Sequence, residues 1–394
     1  MSCSQLPGKV AADPAMRAAA IFIAAVSILV VGIQPVFIGL LAGHLGLSLA
    51  QQGWMISVEM CGSVFGTLLV APLARRWGSR RLCAMAAFAL GGVTLLSGLT
   101  EQYTTMLALR GLAGMVAGGL YAQAVYLLGR MPGQDRSYGF LLLLQTSIFA
   151  VMAAALPLLA ATLGFMAAMG MLVAWYALAC LACRLLPRQV GSEVGQQTPS
   201  SEVGPASFGV AALAGMLCLQ VAIYAVWGFI DGIASGDGLS AVDVGWAVGI
   251  GLLGGLPGAA LPSLLGNRFG RLPMILLGSF CVALAVWLLG LGVKSGEQLA
   301  GVVFLMNFGW VLALSYYMAA VVSHDASGRL TRLVSVVQVT SAAFAPTVLS
   351  LFLGDGGKTL IFSFSVGSVL LGCLLAALVG LGVGRRQQLR AALS

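Results

Sequence analysis

Apolar runs long enough to cross a bilayer constrain this chain more than any other feature. A hydrocarbon core about 30 Å thick takes roughly 20 residues of helix. The 394-residue sequence holds twelve such runs, bounded by charge, Gly or Pro. They lie near 17–43, 50–74, 82–100, 103–129, 138–162, 164–186, 208–233, 243–266, 273–293, 299–322, 332–353 and 359–383. These lengths predict helices, because membrane barrel strands are about half as long and alternate polar with apolar residues. Composition agrees: 60% of the residues are hydrophobic and 8% charged, with a mean hydropathy of +1.01, outside the range of soluble domains.

Charge placement gives an independent reading of orientation, since Lys and Arg accumulate in cytoplasmic loops. With both termini inside, all but three of the 20 cationic residues fall on the cytoplasmic side: in the N-terminal tail, the even-numbered connections (Arg75, Arg76, Arg80, Arg81, Arg130, Arg136, Arg184, Arg188, Arg268, Arg271, Arg329, Arg332) and the C-terminal tail. The exceptions are Lys294 and Lys358 outside and Arg110 within a span. A shift of one helix would scatter these charges. The net charge of +8 thus reflects topology. No basic surface interleaved with aromatics points to nucleic acid, and the first apolar run exceeds a signal-peptide core.

The chain also repeats itself. GLSLAQQGW (46–54) returns as GLSAVDVGW (238–246), and at the same offset of 192 residues Phe37 aligns with Phe229, Gly62 with Gly254, Gly66 with Gly258, Arg76 with Arg268 and Gly78 with Gly270. The register runs ungapped for about forty residues. It predicts two pseudo-symmetric six-helix bundles, 1–186 and 207–394, joined by a flexible cytoplasmic linker at 187–206 that is rich in Ser, Gln, Gly and Pro. Parallel repeats of this kind hold a solute site near the midplane and rock about it to give alternating access.

GTLLVAPLARRWGSRR (66–81) resembles the loop signature after the second helix of the major facilitator superfamily, GAALPSLLGNRFGR (258–271) resembles its weaker second copy, and LALRGLAGMVAGG (107–119) resembles the fourth-helix pattern, with Arg110 and Gly114 in the matching places. The resemblance implies that Arg76, Gly78, Arg268 and Gly270 belong to gating loops and that spans 1, 4, 7 and 10 line the centre. Two departures stand out. The acid that usually precedes the first-loop Arg is Arg75 here, and Asn267 in the second copy. The fifth span has Pro157 with no adjacent Gly, which counts against the drug/proton antiporters that carry a Gly-Pro signature there. One fold serves many solutes, so the likeness does not name the substrate.

Ionisable residues at membrane depth cost roughly 2.5 to 3.5 kcal/mol on insertion scales and invite a functional reading. Glu59, Arg110 and Asp231 are the candidates for proton coupling or ion pairing. Glu59 and Arg110 each sit about seven residues in from the outer face, roughly 10 Å down, so they are placed to meet. Either Glu59 or Asp231 exchanges a proton while Arg110 pairs with the carboxylate or holds a substrate anion, or Glu59 and Arg110 form a permanent pair that neutralises two buried charges. Helical spacing on the spans named by the resemblance gives the substrate-cavity candidates Gln34, Tyr121, Gln220, Tyr224, Trp227, Asn307, Trp310 and Tyr317. Amide and aromatic groups of this kind hydrogen-bond and stack on an organic solute; Trp227 and Tyr317 also suit interfacial anchoring.

Other signals lead elsewhere. GIGLLG (249–254) matches a dinucleotide fingerprint but lies inside an apolar run with no preceding strand, so close helix packing explains it. Cys180 and Cys183 lack acidic or His companions and read as small packing groups. His44 and His324 sit near opposite faces. Neither a nucleophile–base grouping nor a phosphate-binding loop ending in Lys-Ser or Lys-Thr is present, so no enzyme activity, cofactor or metal is expected. The expectation is a monomeric multi-pass secondary transporter of the inner (plasma) membrane, moving a small organic solute with proton coupling. Its rivals are a proton-driven exporter of amphipathic or toxic compounds and a non-transporting solute sensor.

Overall fold

The computed structural model describes residues 14–129, 131, 134–187, 206–324, 329–352 and 357–393, and the structured elements among them are all helical. Contacts divide them into two compact units, one taking the described residues up to Leu47 and from Trp54 to the end of the first half, the other Ser48–Gly53 and everything described from Ala206 onward. Of the predicted linker 187–206, residues 188–205 lie outside the described residues, as do the N-terminal 13 residues.

The first half runs α1 (Pro14–Ser27), α2 (Leu29–Gly32), α3 (Gln34–Leu45), α4 (Leu49–Trp77), α5 (Ser79–Leu99), α6 (Tyr103–Gly129), α7 (Gln134–Leu163) and α8 (Phe165–Ala182), which closes in a 3-10 turn, Cys183–Leu185. Here α1 packs on α6, α7 and α8, and α5 on α6 and α8. The second half runs α9 (Ala206–Trp227), α10 (Ile230–Gly236), α11 (Ala241–Leu252), α12 (Gly255–Leu265), α13 (Arg271–Gly290), α14 (Gly296–Ser323), α15 (Arg329–Phe352) and α16 (Lys358–Leu393). In it α14 packs on α9, α11, α12 and α13, while α9 also meets α15 and α16.

Ten of these helical stretches are long and apolar enough to cross a membrane, so the chain is a multi-pass membrane protein. The other two of the twelve predicted runs differ for identifiable reasons. Run 17–43 is three helices, broken at Ile28 and Ile33, both near φ −105°. Pro35 has no N–H for the Val31 carbonyl four residues back, which interrupts the helical ladder at that point; a Cβ on Gly32, just before the second break, would collide with the Phe149 ring. Run 332–353 is α15, a helix of 24 residues whose apolar part among the described residues is Val336–Phe352. Run 208–233 also divides, into α9 and α10, with Phe229 at φ −103° between them. Pro257 has the same effect in run 243–266: the amides of Leu253 and Gly254 bond three residues back instead of four, separating α11 from α12.

The repeated nonapeptide spells a corner. In the first copy Gly46 closes α3 at φ 65°, and Leu47 N–H donates to the Ala42 carbonyl at 3.1 Å. Ser48 N–H then donates to Gln51 Oε1 at 2.9 Å and Gln51 N–H to Ser48 Oγ at 3.3 Å, a reciprocal cap on the helix that follows. In the second copy Gly238 stands at φ 99°, Leu239 N–H donates to Ala234 at 3.1 Å, and Ser240 Oγ accepts Asp243 N–H at 3.2 Å. At the far ends of the repeat, Gly78 and Gly270 cap α5 and α13 with φ/ψ of 77°/149° and 78°/154°, a region closed to side chains bearing a Cβ.

Just before the second corner the C-terminal end of α10 is tied down by charge. Lys358 Nζ lies 3.0 Å from Asp237 Oδ1 and donates to the Ile233 carbonyl at 3.2 Å, while Asp237 Oδ2 accepts Val293 N–H at 3.1 Å.

Candidate functional site

Close glycine contacts set the geometry of the first unit's polar centre. On α4 and α6, a Cβ at Gly62 would strike the Gly111 carbonyl, one at Gly66 the Met115 carbonyl, one at Gly114 the Glu59 carbonyl and one at Gly118 the Ser63 carbonyl. The two backbones therefore touch along a seam, as small residues allow in membrane helices. Glu59 and Arg110 sit on that seam, 3% and 1% exposed. Arg110 Nη1 lies 3.6 Å from Glu59 Oε1, an ion pair just beyond hydrogen-bond length.

Two more groups complete the Arg110 cradle. Nη2 donates to Ser97 Oγ at 3.0 Å, and the Ser97 hydroxyl in turn donates a hydrogen bond to the Val93 carbonyl at 2.8 Å, which leaves its lone pairs to accept from the guanidinium. Phe37 lies beneath, its ring centroid 5.1 Å from Arg110 Cζ, within cation–π range. Glu59 Oε2 and Arg110 Nε nevertheless keep no hydrogen-bond partner. The pair is thus sealed in apolar surroundings yet retains one acceptor and one donor. Gln34 is buried as well, its Nε2 without a partner; Tyr121, on α6, is partly exposed.

In the second unit, three of the candidates meet. The Trp310 indole N–H donates to Gln220 Oε1 at 2.5 Å, and the Tyr224 ring stands edge-on to Trp310 at 6.0 Å. Asn307 spends its amide N–H on the Val303 carbonyl one turn back, at 2.9 Å. Tyr317 is fully buried and donates to the Gly372 carbonyl at 2.8 Å, which ties α14 to α16. Trp227 is buried. Asp231 lies beyond the break at Phe229, in the first turn of α10, away from the Gln220 group along the chain. Arg76 and Arg268 are exposed, and neither forms an ion pair among the described residues.

The same seam recurs in the second unit without its charge. A Cβ at Gly254 would strike the Phe304 carbonyl and one at Gly258 the Phe308 carbonyl, which matches the Gly62–Gly111 and Gly66–Met115 contacts. In that register the place of Glu59 and Arg110 is taken by Gly251 packed on Val303.

A sequence model described as Major Facilitator Superfamily matches residues 20–346. The chain belongs to the Major Facilitator Superfamily. Among solved structures this superfamily member is similar to the nucleoside transporter NupG, with a TM-score of 0.68 and 11% identity over 92% of this chain and 98% of that one. It is also similar to a bacterial homologue of the human lysosomal transporter Spinster, solved inward-facing and unoccupied, with a TM-score of 0.67 and 12% identity over 93% and 96% of the two chains. At such identities the likeness is one of fold. Two relatives align over shorter stretches: a D-xylose transporter of Levilactobacillus brevis, 27% identical over 86 residues, and the 4-hydroxybenzoate transporter PcaK of Pseudomonas aeruginosa, 35% identical over 83 residues. These matches take in 22% and 21% of this chain and only 19% and 18% of the relatives' lengths.

Ser97 and Phe37 carry no polar periodicity that would have marked them as Arg110 partners. Phe37 was visible only as a position that the repeat preserves.

Proposed function

We propose that this facilitator-family chain is a proton-coupled secondary transporter of a small organic solute, working by alternating access in the inner (plasma) membrane as a monomer. In this reading 1–186 and 207–394 are six-span halves joined by 187–206, and both termini are cytoplasmic. The observation that carries it is the Glu59–Arg110 pair, sealed from water yet holding an unsatisfied acceptor at Glu59 Oε2. A carboxylate that took a proton there would release Arg110 from the pair, and a solute anion would compete for the same guanidinium. Proton uptake and solute binding would then be linked through one side chain.

For the solute we favour an aromatic or hydroxylated acid. Arg110 suits a carboxylate. The name of the Pseudomonas relative, a 4-hydroxybenzoate transporter, points the same way; the D-xylose transporter makes a sugar the second choice. Gating through Arg76, Gly78, Arg268 and Gly270 belongs to the same proposal.

The test is uptake into proteoliposomes under an imposed pH gradient, with 4-hydroxybenzoate, D-xylose and a nucleoside as probes. Accumulation of one probe driven by inward proton flow is expected. Glu59→Gln is expected to abolish pH-driven accumulation while keeping solute exchange. An unchanged pH dependence in that variant would remove Glu59 from the coupling, flux out of the vesicles on inward proton flow would make the protein an exporter, and binding without flux would make it a sensor.

A further inference from the structure

Within the first unit, α1 and α7 flank a groove of about 610 Å³ lined by Arg17, Ile21, Phe140, Leu143, Leu144 and Ser147, among others. Arg17 lies in the first turn of α1. One turn deeper on the same helix is Ile21, and α7 contributes Phe140, Leu143 and Leu144, then Ser147 another turn on, a spacing that carries one helix face along the groove. The groove is thus cationic at the end where α1 begins and apolar below. Phe140 and Leu143 are about half exposed.

We propose that this groove seats an anionic phospholipid, the phosphate on Arg17 and an acyl chain along Phe140, Leu143 and Leu144. Charge complementarity and depth support that occupant. A basic side chain at the end of a membrane helix, on the side richest in Lys and Arg, meets phosphate headgroups, and the apolar length below it meets acyl chain rather than water. A guanidinium has five donors, so it takes a phosphate alongside the contact Arg17 already makes. Assigning the lipid to the cytoplasmic leaflet rests on the orientation proposed above.

The purified full-length protein, in neutral detergent doped with phosphatidylglycerol or phosphatidylcholine, is analysed for retained lipid by native mass spectrometry. Wild type is expected to hold phosphatidylglycerol about fivefold more tightly, the factor one basic residue contributes near an anionic headgroup. Arg17→Gln is expected to equalise the two lipids, and Leu143→Trp, which fills the groove, to displace both. Equal retention by wild type overturns the proposal whether or not the variants fold. So does displacement of the lipid by 4-hydroxybenzoate, which would make the groove a solute site. An N-terminus found to face outward, with the phosphatidylglycerol preference intact, moves the lipid to the other leaflet and sinks the orientation alone.

Discussion

Glu59 and Arg110 stand 3.6 Å apart on two helices whose backbones touch one turn away, where Gly114 meets the Glu59 carbonyl. Charge and close packing are therefore one construction: the glycine seam brings the carboxylate to the guanidinium, and Ser97 and Phe37 hold the guanidinium on its other sides.

Arg110→Met leaves Glu59 buried without its counter-charge, a change that costs about 3–5 kcal/mol for pairs of this kind. A clear drop in the melting temperature of the detergent-solubilised protein is expected. Adding Glu59→Gln to Arg110→Met should recover most of the loss. A double variant as unstable as the single one would mean that Arg110 stabilises through packing on Phe37 and Ser97 instead.

Gly114→Ala adds a methyl group where the Glu59 carbonyl already sits, and backbone cannot step aside as a flexible side chain can. Overpacking of this sort costs about 1–3 kcal/mol. Gly92→Ala, on α5 with open space around it, should be neutral or slightly stabilising, since Ala favours helix over Gly by about 0.5–1 kcal/mol. Melting curves of the two variants compared side by side decide this; equal effects would contradict the seam.

Ser48→Ala and Ser240→Ala each remove a helix cap and should each cost about 1 kcal/mol. Their near-equality is the informative part, because the two serines occupy the same corner of the repeat. A loss at one and none at the other, in matched thermal melts, would show that the corners differ energetically despite their shared hydrogen bonds.

Lys358 and Asp237 are partly exposed, 37% and 22%, so their attraction is screened and is worth at most about 1 kcal/mol. Lys358→Met should lower stability modestly at low salt, with the difference from wild type shrinking as ionic strength rises. A salt-independent difference would assign the effect to the Ile233 carbonyl contact.

Helix existence was legible in the sequence because bilayer thickness sets one length that apolar runs either reach or miss. The breaks at Ile28, Ile33 and Leu253 were not, since hydropathy continues across them; those at Ile33 and Leu253 follow from Pro35 and Pro257, whose missing N–H groups interrupt the ladder without changing polarity. The meeting of Glu59 with Arg110 was readable from equal depth on neighbouring spans. Their surroundings were not: Ser97 is one hydroxyl in an apolar helix, and only packing reveals that it faces Arg110. The Gln220–Trp310 bond was half visible, as two residues on separate stripes with nothing in the spacing to pair them.

The two halves share their corners, their capping glycines and their seam, yet at the level where Glu59 meets Arg110 in one copy, Gly251 meets Val303 in the other. A membrane potential does work only on charge. Glu59 and Arg110 cancel while both are charged, so at that level a voltage acts on net charge in the N-terminal copy only when Glu59 is protonated and finds no charge in its twin; a duplicated architecture has become electrically one-sided.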